Sequence, residues 1–328
     1  MTTPQSTAGI RPVLEDNHGP SDATHRAVAG AVAQAEAAAE AAGVQVRGVS
    51  RRQELDAVHD LFNFIWQPDP TSPLMTGELL RALVKSGNYV GGAFDGDELV
   101  GACVGFWGAP ADESVHSHIA GVSNAARGRS VGFALKLHQR AWSLQRGATV
   151  ISWTYDPLVR RNAYFNLVKL AAQPAEYLPD FYGGVHDRIN AGDDTDRLLV
   201  NWRLDHEPVR AACTGEARPA DARAARLAGA SVALDRSGEE APVLGALDAP
   251  CLLVAVPSDI ERLRLTSAGL AKDWRSALRD VLGTLMAEGA RITGFDRGGW
   301  YVLQRPAPSG ADAVDAGAPH ASTAEEKR

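Results

Sequence analysis

Cysteine is scarce in this chain of 328 residues: Cys103, Cys213 and Cys251 are an odd three, far apart, with no C-x-x-C pair. That excludes a disulfide framework and a zinc knuckle, and no metal is expected. Basic charge is also in deficit. Lys and Arg number 33 against 40 Asp and Glu, a net charge of −7, so neither nucleic acid nor a membrane is an expected partner. No run approaches the roughly 20 apolar residues that span a bilayer. The first residues, "MTTPQSTAGIRPVLEDNHGP", lack the apolar core of a secretory signal, and a cytoplasmic location is expected. No loop ends in Gly-Lys-Ser/Thr, no G-x-G-x-x-G follows a first strand, and no internal repeat is visible.

What is present divides into four stretches. Residues 1–43 read as a disordered tail followed by an Ala-rich helix, "HRAVAGAVAQAEAAAEAA", stopped by Gly43. Its few large side chains predict weak docking. Residues 44–205 carry the order β, α, α, β, β, β, α, β, α, β. The helix "RQELDAVHDLFNFIW" sets Leu55, Val58, Leu61, Phe62 and Ile65 on one stripe, and Asp95-Gly96 turns a hairpin. Residues 206–306 begin as a Pro/Ala/Arg-rich connector. A strand "CLLVAV", an apolar helix stripe from Leu270 to Met286 and a hairpin about "DRGG" follow. Residues 307–328 are a second polar tail, expected to be disordered.

One junction points to chemistry. "SVHSHIAGVS" reads as a strand, "ARGRSVG" as a tight turn, and "FALKLHQRAW" as a helix. The first turn of a helix leaves four N–H groups unpaired and carries about half a positive charge, so an anion at that end satisfies both. Gly128, Ser130 and Gly132 lack bulk, and Arg127 and Arg129 add charge. A Gly-rich turn made only for packing is the alternative.

The motif resembles that of the GNAT family of acyl-CoA-dependent N-acyltransferases, whose pyrophosphate-binding sequence is Arg/Gln-x-x-Gly-x-Gly/Ala between the fourth strand and third helix. Arg127, Gly128, Arg129, Ser130, Val131 and Gly132 match it, with Ser130 in place of the first Gly of the pair. Phe133 continues into the helix. "HSHIAGV", "RNAYFNLVKL" and "YLPDFYG" are similar to a bacterial branch of the family. The resemblance covers about half the chain. It implies an α/β (α+β) fold: a central mixed, mostly antiparallel sheet flanked by helices, here with a smaller C-terminal α+β block. It implies acetyl-CoA or another acyl-CoA as cosubstrate and a small-molecule amine as acceptor. Diphosphate contacts are implied for residues 127–133, and pantetheine contacts for the backbone of Ala120, Gly121 and Val122. The family's Asn-x-x-Ala-x-x-x-Tyr-x-x-x-Gly-Phe helix, aligned on Ala163, sets Arg160 at the Asn position, Leu167 at the Tyr and Ala171 at the Gly. The family's general acid is therefore missing. A non-catalytic acyl-CoA-binding sensor is the alternative function.

Candidates for the roles follow. Tyr164, one turn earlier, and Tyr182, in "DFYGG", are the acids on offer; a thiol pKa near 8.5 also makes the thiolate a fair unaided leaving group. Period-two alternation sets His116, His118, Ala120 and Val122 on one face, with His118 as base or as a structural hydrogen-bonding residue. Asp156 is a substrate-amine anchor or a helix cap. Arg160 and Arg161 reach the CoA 3′-phosphate or line a solvated face. Asn162 and Asn166 contact the pantetheine arm or act structurally. The C-terminal block closes over the acceptor or makes a homodimer contact.

Overall fold

The computed structural model describes residues 22–69, 73–183 and 193–306; both expected tails lie outside the described residues. The first sheet contains β1 (Gln45–Gly48), β2 (Tyr89–Asp95), β3 (Glu98–Trp107), β4 (Ser114–Val122), β5 (Val150–Tyr155), β6 (Gln173–Leu178) and β7 (Arg197–Arg203). Their order is β1-β2-β3-β4-β5-β7-β6. Only β4 and β5 pair in parallel. Helices α2 (Arg52–Trp66) and α3 (Gly77–Lys85) cover one face, where Leu55, Val58, Phe62 and Leu80 meet Val90, Ala102 and Val104. Helices α1 (Asp22–Ala41) and α4 (Val131–Leu144) lie on the other, against Tyr89, Ala93, Val100 and Cys103. This is the mixed sheet between helices that the resemblance implied. Docking of α1 is helped by Arg140, which bonds Gln34 Oε1 (2.7 Å) and the Leu204 carbonyl (2.8 Å). No helix among the described residues is long and apolar enough to cross a membrane.

The strand β6 was not expected. Pro174 masks it in the sequence, and the chain accommodates a proline there because β6 is the edge of the sheet. Ahead of it, α5 (Arg160–Ala163) continues into a π turn at Tyr164–Lys169. The connector also holds more structure than its composition suggests: α6 (Glu207–Cys213), α7 (Ala222–Leu227), β8 (Ser231–Arg236) and β9 (Pro242–Leu244). Beyond it lie β10 (Cys251–Ala255), α8 (Ile260–Thr266), α9 (Ala268–Leu278), a π turn at Arg279–Gly283, α10 (Thr284–Ala287), β11 (Arg291–Asp296) and β12 (Trp300–Gln304). The second sheet runs β11-β12-β10-β8-β9.

The two sheets repeat each other, although the sequence shows no repeat. In the first, β4 is parallel to β5, and β7 is antiparallel to both β5 and β6. In the second, β8, β10, β12 and β11 stand in the same order with the same directions. Each outer hairpin strand carries a bulge after its second paired residue, at Ala175 in β6 and Thr293 in β11. Each helix linking the corresponding strands contains a π turn. Each hairpin strand is preceded by a residue in the left-handed region, Ala171 (φ 52°) and Gly289 (φ 89°). The units interlock reciprocally: β11 packs on the π turn after α5, and β6 on that after α9. One apolar cluster, including Trp202, Val254, Trp274 and Tyr301, runs through both.

A buried charge knot fixes this junction. Asp156 Oδ2 accepts from Arg264 (2.5 Å) and Arg275 (2.9 Å), and Asp193 Oδ2 accepts from both arginines as well. Asp196 holds Arg279 and the Tyr177 hydroxyl. Burial alone would raise the Asp156 carboxyl, but Arg275 and Arg264 hold it well below the usual carboxylate range.

Three outcomes are expected. Ala171 occupies a left-handed conformation (φ 52°) that costs an L-residue roughly 1–2 kcal/mol, so Ala171→Gly should raise stability by about 0.5–1 kcal/mol in urea unfolding, after the roughly 0.5–1 kcal/mol of entropy a glycine adds to the unfolded chain. Because the folded pKa of Asp156 lies below its unfolded value near 4, its stabilisation is present above that pH and drains away as pH falls toward the folded value. The denaturation midpoint should be flat above pH 5 and drop below pH 4. Arg275→Met should cost about 3–5 kcal/mol at pH 7 by leaving buried carboxylates short of a partner.

Candidate functional site

Pairing between β4 and β5 stops early. The register runs Ser114↔Val150, Val115↔Ile151, His116↔Ser152 and ends, although β4 continues to Val122 and β5 to Tyr155. From Ser117 onward β4 is paired with β3 alone, and from Trp153 onward β5 is paired with β7 alone. The strands part, leaving one edge of the β4 main chain without a strand partner. The cause lies in β4. Opposite β3, Val104 pairs with Ile119 and Gly105 with Ser117, so His118 is one residue too many. Such a β-bulge bends a strand and increases its twist.

The bulge overturns the expected alternation. His116, His118, Ala120 and Val122 do not share one face, because the extra residue shifts the pattern by one. Ile119 packs toward α2, and a Cβ on Gly121 would lie 2.7 Å from the Trp66 ring. Val122 instead packs with Ala126, Val131 and Leu135 under α4. His116 and His118 both stay beside Phe106, at ring distances of 5.2 and 5.9 Å, and lie 6.4 Å from each other. His116 Nδ1 is 3.3 Å from Ser152 Oγ, at the base of the fork. Partial burial lowers the pKa of both imidazoles, helped at His116 by the charges of His118 and Lys136. Both are therefore neutral near pH 7 and able to accept a proton.

Tyr182 joins this face. Its hydroxyl is 3.1 Å from Thr154 Oγ1, two residues along β5 from Ser152, and the Arg197 guanidinium lies 5.2 Å from its ring centroid. Tyr164 does not. Its hydroxyl accepts from Arg297 (2.9 Å) in the β11–β12 turn, and the π turn that carries it is packed on β11. Tyr164 and Leu167 also lie in a π turn, so the α-helical spacing expected between them does not hold. Arg160 lays its stem against Gly299, whose Cβ would come within 2.8 Å of Arg160 Cδ, so its packing is on the second unit. Arg161 pairs with Glu261. Asn162 is half-buried, and Asn166 accepts from the Trp153 indole (3.0 Å), the structural reading of that residue. Asp156 is not the cap of the next helix, which begins at Arg160 after Val159; it accepts from the Leu158 N–H (3.0 Å) in the turn before that helix and is otherwise held by arginines, which leaves it no role as an amine anchor.

At the end of β4, the Ser123 N–H is tied to the Val100 carbonyl (2.8 Å) and Ala126 is buried. Arg127 is extended, Gly128 has φ 84°, Ser130 has φ 64°, and α4 begins at Val131. Ser130 takes the left-handed conformation despite its Cβ. Its carbonyl accepts from the Phe133 (2.9 Å) and Ala134 (3.1 Å) N–H groups. The backbone N–H groups of Gly128, Arg129, Ser130, Val131 and Gly132 have no acceptor among the described residues. Gly128 and Ser130 are exposed, and nothing lies within 4 Å of where a Gly128 Cβ would be. This is an open concavity of main-chain donors at a helix start, the geometry that binds anions. Arg127 is exposed and makes no ion pair among the described residues. Arg129 is engaged elsewhere: it donates to the Gly43 carbonyl (2.9 Å) and Asp95 (2.6 Å), so the expectation that its charge serves the anion is corrected.

No family model matches the chain, and no curated protein matches it. Among solved structures it is similar to an N-acetyltransferase from Staphylococcus aureus (15% identity, 49% of this chain and 99% of that chain, TM-score 0.40). It is similar also to an aminoglycoside 6′-N-acetyltransferase complexed with coenzyme A (18%, 50% and 99%, 0.38) and to a ribosomal-protein alanine N-acetyltransferase from Escherichia coli (10%, 50% and 95%, 0.39).

The two arginines of the turn should separate on substitution. Arg127→Ala should leave the unfolding midpoint unchanged. Arg129→Ala, which unties the end of α1 from the turn, should lower stability by about 1 kcal/mol, read by thermal or urea unfolding.

Proposed function

We propose that the chain is an acyl-CoA-dependent N-acyltransferase that moves an acetyl or short acyl group to an amine of a small molecule. The observation that carries this reading is the row of N–H groups from Gly128 to Gly132 that have no acceptor among the described residues, set one short turn after a strand that has parted from its parallel neighbour. The turn would take the CoA diphosphate, with Arg127 adding charge. The free edge of β4 through Ala120, Gly121 and Val122 would pair with the pantetheine amides and polarise the thioester carbonyl. His118, with His116 beside it, takes the proton from the attacking amine. The nitrogen–carbon bond forms, the carbon–sulfur bond breaks, and the bonding pair leaves on sulfur. Tyr182 is the remaining side-chain donor for that thiolate, which is itself a fair leaving group at a thiol pKa near 8.5.

A second reading, an acyl-CoA sensor without turnover, is favoured by one observation: Leu167 stands at the family's acid position and Tyr164 is held by Arg297. Thiol release from acetyl-CoA over an amine panel separates the two. Turnover supports the enzyme, and binding without release supports the sensor. In calorimetry with CoA, Arg127→Ala should weaken binding roughly 3- to 10-fold at low salt and less at high salt, while no heat from the wild type at millimolar CoA would sink both readings. His118→Gln should lower kcat about 100-fold or more. Because burial lowers both histidines, the acid limb of the pH–rate profile should fall below the ordinary imidazole value of about 6.5.

A further inference from the structure

Lys136 of α4 is buried, and its bonding partners are neutral. Its ammonium donates to Ser117 Oγ (2.9 Å) and Gln139 Oε1 (3.0 Å) and lies 3.8 Å from the Trp153 ring centroid. Ser117 and Trp153 are the first residues beyond the end of β4–β5 pairing. The ammonium thus bridges the two strands where they part, on the α4 side of the sheet. A buried cation costs folding free energy unless an anion answers it, and its hydrogen bonds are to neutral side chains.

We propose that Lys136 is the positive pole of the fork: its ammonium stabilises the negative charge that gathers on sulfur as the thioester is cleaved between β4 and β5. This rests on the acyl-CoA reading above. Lys136 touches no substrate and gives up no proton. The electron pair of the carbon–sulfur bond goes to sulfur, the amine proton goes to histidine, and the lysine acts across the strand by its field. The ammonium lies at the start of the fork, 2.9 Å from Ser117 Oγ on one strand and 3.8 Å from the Trp153 ring centroid on the other, so a sulfur placed between the strands there would meet a buried, weakly screened charge. The titratable groups facing the ammonium are Cys103 of β3, whose thiol burial pushes up, and His116 of β4, whose pKa the lysine's charge helps to lower. Burial brings Lys136 itself down to about 8, so the pole fades in mild alkali.

The test titrates the thiol of bound CoA by its thiolate ultraviolet absorbance in full-length wild type, Lys136→Met, Lys136→Gln and Lys136→Arg. At a pH where the thiol is mostly protonated, the thiolate fraction should be roughly 10-fold larger in the wild type and Lys136→Arg than in the two neutral variants, while Lys136→Met unfolds no earlier than the wild type. Equal thiol titrations in all four proteins with CoA bound overturn the role of Lys136 and leave acyl-CoA binding standing. A destabilised Lys136→Met together with an unmoved thiol in Lys136→Gln assigns the ammonium to structure and overturns it too. No CoA binding by the wild type overturns both.

Discussion

The geometry of the site depends on one supernumerary residue in a strand. His118 cannot be matched by β3, so β4 bends, and it loses β5 after only three residue pairs. Without that bulge the parallel pair would close along its length, and neither a free main-chain edge nor a gap would exist. The bulge also decides which side chains look into the gap, because every residue after it is turned to the opposite face. The histidines, Phe106, Ser152 and Thr154 stay together on one side, while Ser117 and Lys136 meet on the other.

The second unit decides the surroundings of the helix after β5. Here β11 and the β11–β12 turn cover it, with Arg297 on Tyr164 and Gly299 against Arg160. The contact is reciprocal, since β6 covers the equivalent π turn, and Gly283 there lies 3.3 Å, measured from an added Cβ, from the Tyr177 ring. Asp156 sits at the exit of β5 and, with Asp193 and Asp196, is gripped by the second unit's arginines.

Much of the layout was legible because it is written in local chemistry. Asp95-Gly96 marked the β2–β3 hairpin, the stripe Leu55–Val58–Phe62 marked α2, and the small residues from Gly128 to Gly132 marked the turn before α4. What escaped depends on pairing rather than on composition. A bulge has no sequence signature in "HSHIAGV", so the faces of β4 were misassigned. Pro174 hid an edge strand. The duplicated topology is carried by strand order, two bulges and two π turns, none of which requires similar residues. Arg129 looked like a ligand for the anion because its partners, Gly43 and Asp95, come from distant parts of the chain. Nothing in "FALKLHQRAW" marks Lys136 as buried.

The repeat is also incomplete, and the missing piece sets a stoichiometry. Between β4 and β5 the first unit inserts the turn and α4, whereas residues 237–250 between β8 and β10 supply only the short strand β9. The second unit therefore has no helix start between its parallel strands. Two like strand sets are joined in one polypeptide, so dilution cannot part them, and only the first carries a turn and a long helix between its parallel strands. The turn proposed above as the diphosphate seat therefore occurs once per chain, whatever the protein concentration.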